Sequence, residues 1–403
     1  MFYVGIDVSK NHFTYCIINS TSQIVRKDTL TQTFESFKDF LSIIKNFQPS
    51  TIIMESSGRY HICISSFLIS HNIQPFIINP KFSHQFFKFI QSTSPSKTDS
   101  KDAFILALFA LKNPELLKPS SIPEETKIIA RTLQSLKKEL AKIKTQILNC
   151  LSVVFPELER VTNPFSKTIL NILLYFPSAK DIAKAPIKRI SAMFEEATTR
   201  GKKPSLTPED LKELAKKSIG ISHKGYSLTL KTYIQKLFFL EKQIEELSTL
   251  LDEEIQKWSP KEIDIISSIK GISRDLANRF IAEIEDIKKF SSAKKLIKYA
   301  GLDPVIKQSG KWKFFKGISK KGNAYLRDIF YQMAYGVVTW NSFFREYLKK
   351  KMAQYGSYRK AMIAVVNKLI RVIFAMLKKG EKFRPERVFP SIRFKNSEVV
   401  GYV

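Results

Sequence analysis

Over residues 1–112 the apolar positions alternate between short continuous runs and helical spacings. Phe2-Tyr3-Val4-Gly5-Ile6-Asp7-Val8 is β-branched and aromatic and predicts a strand ending on a carboxylate. Phe13 to Ile18 and Gln23 to Leu30 predict two more strands, divided by the turn-forming run Asn19-Ser20-Thr21-Ser22. Phe34, Phe37, Phe40, Leu41 and Ile44 repeat at helical spacing, so Phe34 to Phe47 is predicted as a helix. Thr51-Ile52-Ile53-Met54-Glu55 is a short buried strand that again finishes on a carboxylate. A helix (Tyr60 to Ser70), a strand (Gln74 to Ile78), a helix (Pro80 to Ile90) and a further helix from Asp99 follow. Strands and helices in this order predict an α/β domain with one central sheet over 1–112.

Beyond it the pattern becomes helical. Residues 113–123 hold three prolines and read as a linker. Ile129, Leu133, Leu136, Leu140, Ile143, Ile147, Cys150 and Val154 then fall alternately four and three apart, a heptad seam. Leu230, Tyr233, Leu237, Leu240, Ile244, Leu247 and Leu251 form a second seam. The two can pair antiparallel, within one chain or between chains, and serve dimerisation or simply a bundle core. Residues 113–260 are therefore read as a linker and coiled-coil helical domain, with 156–223 inserted between its arms and carrying no recognisable chemistry. Ile263 to Ile287 places Ser268-Ile269-Lys270-Gly271-Ile272-Ser273 between two short amphipathic helices. It looks like a helix-hairpin-helix, whose Gly turn and helix start would offer N–H groups to phosphate; a plain capped hairpin is the alternative. Tyr358 to about Lys379 predicts a long basic helix closing a 261–380 domain, and 381–403 reads as an extended tail.

Charge changes the picture. The chain has 66 basic and 37 acidic residues, a net of +29, which points to a polyanionic partner. Residues 1–112 hold 11 basic and 7 acidic residues, whereas 293–380 hold 20 basic and 3 acidic. The grip on nucleic acid is expected in the C-terminal half. From Lys307 through Arg327 come seven basic residues and no acid, interleaved with Trp312, Phe314 and Phe315, a mixture suited to phosphate contact and base stacking. Lys270, Gly271, Lys307, Lys311, Trp312, Lys313, Lys316, Lys320, Lys321 and Arg327 are the candidate contacts. Three separated cysteines and five scattered histidines argue against a zinc site or a disulfide framework. No apolar run reaches membrane-spanning length and Asp7 and Lys10 interrupt the first apolar stretch, so a cytoplasmic, nucleoid-associated protein is expected.

Four of the seven N-terminal acids stand where strands end or a helix begins: Asp7, Glu55, Asp99 and Asp102. A carboxylate at the edge of a buried strand is costly unless solvated, paired or bound to metal. Asp99 and Asp102, three apart on one helix face, can point at one spot; beside Thr98 and Ser100 they can equally be capping residues. Carboxylates converging on one sheet edge would repel one another unless cations held them. An all-oxygen set suits Mg²⁺ or Mn²⁺, and two such ions can activate a nucleophile and stabilise the leaving oxygen of a phosphodiester.

Gly-Ile-Asp-Val-Ser-Lys at 5–10, Met-Glu-Ser-Ser-Gly at 54–58, Ile-Asn-Pro at 78–80 and Lys-Thr-Asp-Ser-Lys-Asp-Ala at 97–103 resemble the DEDD transposases of bacterial insertion sequences. The resemblance implies a RuvC-like, RNase H-like N-terminal domain in which Asp7, Glu55, Asp99 and Asp102 are the metal-binding carboxylates. The string Tyr-Ala-Gly-Leu, Gln-Ser-Gly, Gly-Ile-Ser-Lys-Lys-Gly-Asn and Tyr-Leu-Arg between 299 and 327 resembles the family's second catalytic domain. By that resemblance Ser309 attacks DNA, forms a phosphoserine link and completes a composite site with the carboxylates, Ser319 being the poorer candidate. The family further implies donor and target DNA, an element-encoded bridge RNA as guide, and self-association into a dimer or a synaptic tetramer. The alternative is a structure-selective junction resolvase in which metal-activated water attacks and Ser309 is incidental. A third reading is a binding protein whose carboxylates only cap helices.

Overall fold

The computed structural model describes residues 1–55, 58–78, 83–84, 86–87, 98–119, 125–198, 206–309 and 312–390. The chain forms two compact units, Met1–Pro123 and Glu124–Val403.

In the first unit, β1 (Phe2–Val8), β2 (His12–Asn19) and β3 (Ile24–Thr31) form an antiparallel meander. After α1 (Phe34–Phe47), β4 (Thr51–Glu55) returns parallel to β1, and after α2 (His61–Ser70), β5 (Phe76–Ile78) lies parallel to β4. Residues 83–84 and 86–87 of the predicted 80–90 helix are helical; its other positions lie outside the described residues. Then come α3 (Asp99–Lys112) and β6 (Lys118–Pro119), antiparallel to β5, giving a six-stranded mixed sheet of order β3-β2-β1-β4-β5-β6. Part of the predicted linker, Lys118–Pro119, is thus an edge strand.

Strand alternation sorts the two sheet faces. Val4, Ile6, Ile52 and Met54 face α1 and α2, packing on Phe40, Leu41, Ile44, Ile64 and Leu68. The intervening positions face α3: Tyr3, Cys16, Ile18 and Ile53 pack on its Ala103, Leu106, Ala107 and Ala110.

In the second unit, α4 (Glu125–Val154) and α10 (Lys224–Gln256) are long helices packed against one another. Ala130 and Leu133 share a cluster with Leu251 and Ile255, whereas Ile147 and Val154 share one with Leu230 and Ile234, so the helices run antiparallel. Lys236–Glu139 at 2.7 Å and Lys144–Glu241 at 3.6 Å bridge them. The two predicted seams therefore pair within one chain. Between the arms, α5 (Leu158–Val161), α6 (Lys167–Tyr175), α7 (Ala179–Lys184), α8 (Ile187–Thr198) and α9 (Pro208–Lys216) form a helical cap that shares its core with the adjoining end of α4 and α10.

The remaining helices are α11 (Pro260–Ser267), α12 (Arg274–Ile284), α13 (Ala293–Tyr299), α14 (Ala324–Trp340), α15 (Ser342–Tyr355), α16 (Tyr358–Lys379) and α17 (Pro385–Val388). They share a core with one end of the α4/α10 pair, so the arms and the 261–380 region are one unit, not two domains. The predicted extended tail is also corrected over its first part. Phe389 is buried, 5.0 Å from Phe344 ring to ring, because an apolar surface on α15 remains for it to cover; residues 391–403 lie outside the described residues. No described helix is long and apolar enough to cross a membrane.

Candidate active site

Asp7 and Glu55 owe their placement to strand register. Ile6 pairs with Met54 across the parallel β1–β4 ladder, so the next residues, Asp7 and Glu55, lie side by side at the C-terminal ends of their strands. Both share the parity of residues that face α3, Gly5 and Ile53, and both are half-buried.

The third element arrives through Gly5. A β-carbon there would stand 2.1 Å from the Ala103 carbonyl oxygen and 2.4 Å from the Ala107 nitrogen. Only glycine lets α3 press onto β1 this closely. Helix α3 begins at the Asp7 edge, since His12, the first residue of β2, reaches Asp99 Oδ2 with Nε2 at 3.2 Å. Thr98 is the N-cap: its hydroxyl accepts from the Lys101 N–H at 3.4 Å. The two aspartates thus stand in the first turn without serving as the cap, where the helix dipole favours negative charge.

Asp7 and Glu55 thus stand at the C-terminal ends of adjacent strands, and Asp99 and Asp102 in the first turn of the helix that covers that face. Among the described residues, no three carboxylate, histidine or cysteine side chains form a ligating cluster. The donors present are nonetheless hard oxygens, the chemistry of a Mg²⁺ or Mn²⁺ site. Two neighbours escaped the sequence reading. Ser83, 1% exposed, donates its hydroxyl proton to Glu55 Oε2 at 2.6 Å, and His12 holds Asp99. Neither carries a local sequence signal, because each meets its partner only through tertiary folding.

In the second unit, the basic stretch interleaved with aromatics contains an antiparallel hairpin, β7 (Pro304–Ser309) and β8 (Trp312–Ile318). Ser309 pairs with Trp312 at its tip. Gly310 and Lys311 lie outside the described residues, as do the side chains of 306–309 and 312–316, among them Lys307, Ser309, Trp312, Lys313 and Lys316. At the base of the hairpin the motifs 299–303 and 317–323 are laced together. The N–H groups of Ser319, Lys320 and Asn323 donate to the carbonyls of Asp303, Gly301 and Tyr299 at 2.8, 2.9 and 2.7 Å. The Ser319 hydroxyl is held by Asp303.

The start of α14 is fixed from below. Glu283, 1% exposed, accepts from Arg131 Nη2 at 2.6 Å and Nε at 3.0 Å, and also from the side chain of Asn323, the α14 N-cap. Lys270, Lys320 and Lys321 are exposed. Arg327 donates to the Ala300 carbonyl at 3.0 Å, so part of its guanidinium serves the fold. Gly271 has a packing reason of its own: a β-carbon there would stand 2.4 Å from the Gly336 carbonyl oxygen.

A family model described as a transposase, of the DEDD type of IS110 elements, matches residues 4–156. A second, described as transposase of the IS116/IS110/IS902 family, matches 263–349. The chain belongs to this transposase family. It is an enzyme of the DNA transposase/recombinase class. The pilin gene-inverting protein of Moraxella lacunata is 25% identical over 392 residues, 94% of this chain and 97% of the relative. The IS116 uncharacterized 44.8 kDa protein of Streptomyces clavuligerus is 20% identical over 95% of this chain and 96% of its own length. Among solved structures, T. thermophilus RuvC in complex with Holliday junction substrate is similar over 30% of this chain and 99% of that chain, with 12% identity and a TM-score of 0.24.

The two matched segments divide the transposase as the candidate chemistry does. Asp7, Glu55, Asp99 and Asp102 all fall within the first, and the β7–β8 hairpin with Ser309 within the second. The helical cap lies mostly between them.

Proposed function

We propose that this transposase cuts and rejoins DNA with Asp7, Glu55, Asp99 and Asp102 as an RNase H-like metal-binding set and Ser309 as the nucleophile. The observation that carries the reading is the in-register pairing of β1 with β4, which brings Asp7 and Glu55 together on the face that α3 covers. Mg²⁺ or Mn²⁺ held there would neutralise phosphate charge and stabilise the departing oxygen. The Ser309 oxygen attacks phosphorus and loses its proton. One P–O bond of the strand breaks, one DNA end stays as a phosphoserine ester, and the other leaves as a hydroxyl. A hydroxyl of a second strand then attacks the ester, restoring serine and rejoining the DNA.

Transesterification suits an enzyme whose relative is named a gene-inverting protein, because every cut end must be resealed. A serine ester retains the phosphodiester linkage, whereas attack by water discards it. Donor and target DNA are the substrates, with an element-encoded RNA as guide and a dimer, or a tetramer in the synapse, as the working assembly. The exposed Lys270, Lys320 and Lys321 serve the nucleic acid, together with Lys307, Lys311, Trp312, Lys313, Lys316 and Arg327. Ser319 is the poorer candidate because it lies inside the turn that laces 317–323 to 299–303, where its hydroxyl bridges Asp303 and the Lys321 N–H.

The test is denaturing capture of a protein–DNA adduct on DNA carrying the element ends. Wild type and Ser319→Ala are expected to form it and Ser309→Ala to form none, with mass spectrometry locating the ester on Ser309. Cleavage without an adduct, undiminished in Ser309→Ala, would instead establish metal-activated water and a junction-resolvase chemistry. Sequencing of RNA retained by the purified protein tests the guide.

A further inference from the structure

The helical cap and the start of α10 flank an open cleft of about 530 Å³ whose lining includes Tyr175, Phe176, Lys184, Lys224 and Lys231. Arg189 stands beside it, its guanidinium 5.2 Å from the Tyr175 ring centroid and 5.4 Å from that of Phe176. Among the described residues, none of these four cations has a carboxylate partner, whereas Lys144, Lys216 and Lys236 in the same cap and arms each do. The acid in the lining, Asp181, is engaged locally, accepting from the Ser178 hydroxyl at 2.6 Å.

Three lysines and an arginine around one aspartate leave an excess of positive charge that repels itself and adds nothing to folding. Their arrangement is explained by an anion that arrives from outside. The aromatic component narrows the choice. Tyr175 is 57% exposed, which leaves ring surface on which a partner can stack. Cations beside an exposed aromatic face are the elements with which proteins hold single strands, phosphates against Lys and Arg and a base stacked on the ring. An open cleft of this size can seat one or two nucleotides of a strand.

We propose that this cleft binds a single strand of nucleic acid, with phosphate at Lys184, Lys224 and Lys231 and a base on Tyr175. It gives the cap, which has no part in the strand-cutting chemistry, a contact of its own with the nucleic acid. The inference stands on the cleft alone and does not depend on the roles of the carboxylates or Ser309.

The experiment uses the full-length protein and fluorescein-labelled 20-mers of deoxythymidine and of uridine, with affinity measured across a salt series. Single-strand binding loses about 0.7 in the log–log salt slope per phosphate contact removed, so Lys184→Gln/Lys224→Gln/Lys231→Gln is expected to lower the slope by about 2. A control, Lys242→Gln/Lys257→Gln/Lys261→Gln, removes the same charge away from the cleft and is expected to change it little. Tyr175→Ala is expected to weaken binding about tenfold. On the wild-type protein, 4-thio-substituted versions of the same oligonucleotides should photocrosslink to the tryptic peptide 168–180, which contains Tyr175. Whichever sugar gives the larger slope change and the crosslink identifies the strand as DNA or RNA; equal responses assign both. A slope change no greater than the control's, or a crosslink map that omits this peptide for both oligonucleotides, overturns the proposal.

Discussion

Gly5 and Ala103 meet backbone to backbone: a β-carbon on Gly5 would lie 2.1 Å from the Ala103 carbonyl oxygen. That contact sets how close α3 approaches the sheet, and so how near Asp99 and Asp102 come to the edge that carries Asp7 and Glu55. Gly5→Ala must lift the helix or bend the strand. Overpacking of this kind costs about 1–3 kcal/mol. Urea unfolding followed from the first unit is expected to shift to lower midpoint, with strand cleavage lost before folding is. A variant with wild-type midpoint and activity would mean that α3 has slack at this crossing.

Ser83 is expected to act on the chemistry only through Glu55. Ser83→Ala removes the hydrogen bond at 2.6 Å and should weaken Mn²⁺ binding, read by calorimetry, by about 10–100-fold, the usual effect of losing a partner behind a ligand. Ser83→Thr keeps the hydroxyl and is expected to recover most of it. Equal losses in both variants would point to packing instead.

Arg131→Ala leaves the buried Glu283 carboxylate with Asn323 as its remaining described partner. Removing one member of a buried pair costs about 3–5 kcal/mol. The unfolding midpoint of the second unit should fall accordingly, and Arg131→Lys should recover only part, because one ammonium cannot reproduce the two-pronged contact. A change below 1 kcal/mol would show that solvent reaches Glu283 readily.

The cysteines give a test by pH. Burial pushes the Cys16 thiol up to about 11, with Lys27 opposing, and burial raises Cys150 as well. Cys63 is exposed. At pH 8, one thiol per chain is expected to react quickly with a disulfide reagent and two only on unfolding. For Cys16 the neutral form is favoured in the folded state. Its contribution to stability is therefore complete below its ordinary value of 9.0 and is lost as pH rises from there through about 11. Rapid reaction of all three thiols in the folded protein would contradict the burial.

Much of the first unit could be read from local pattern. Strands such as Phe2–Val8 and Thr51–Glu55 and the helix Phe34–Phe47 are encoded by neighbours within a few residues, and the terminal carboxylates are visible at once. The α4 and α10 seams were equally legible, since heptad spacing records a buried stripe wherever its partner lies. The β7–β8 hairpin was not: Lys, Trp and Phe alternating there signal a charged loop as readily as a two-faced ribbon. The packed Phe389 also left no local trace, because covering another helix needs no periodicity in the covering segment.

By itself, then, the sequence determined the elements, the four acidic positions, the basic C-terminal half and the family resemblance, all properties of short segments or of composition. Tertiary structure decided which of them meet. Thr98 proved to be the cap in place of Asp99. Strand register set Asp7 beside Glu55, a glycine admitted α3, and the heptad helices closed on each other within one chain. Register, close approach and pairing depend on atoms far apart in the chain, and a local pattern can propose such meetings but cannot choose among them.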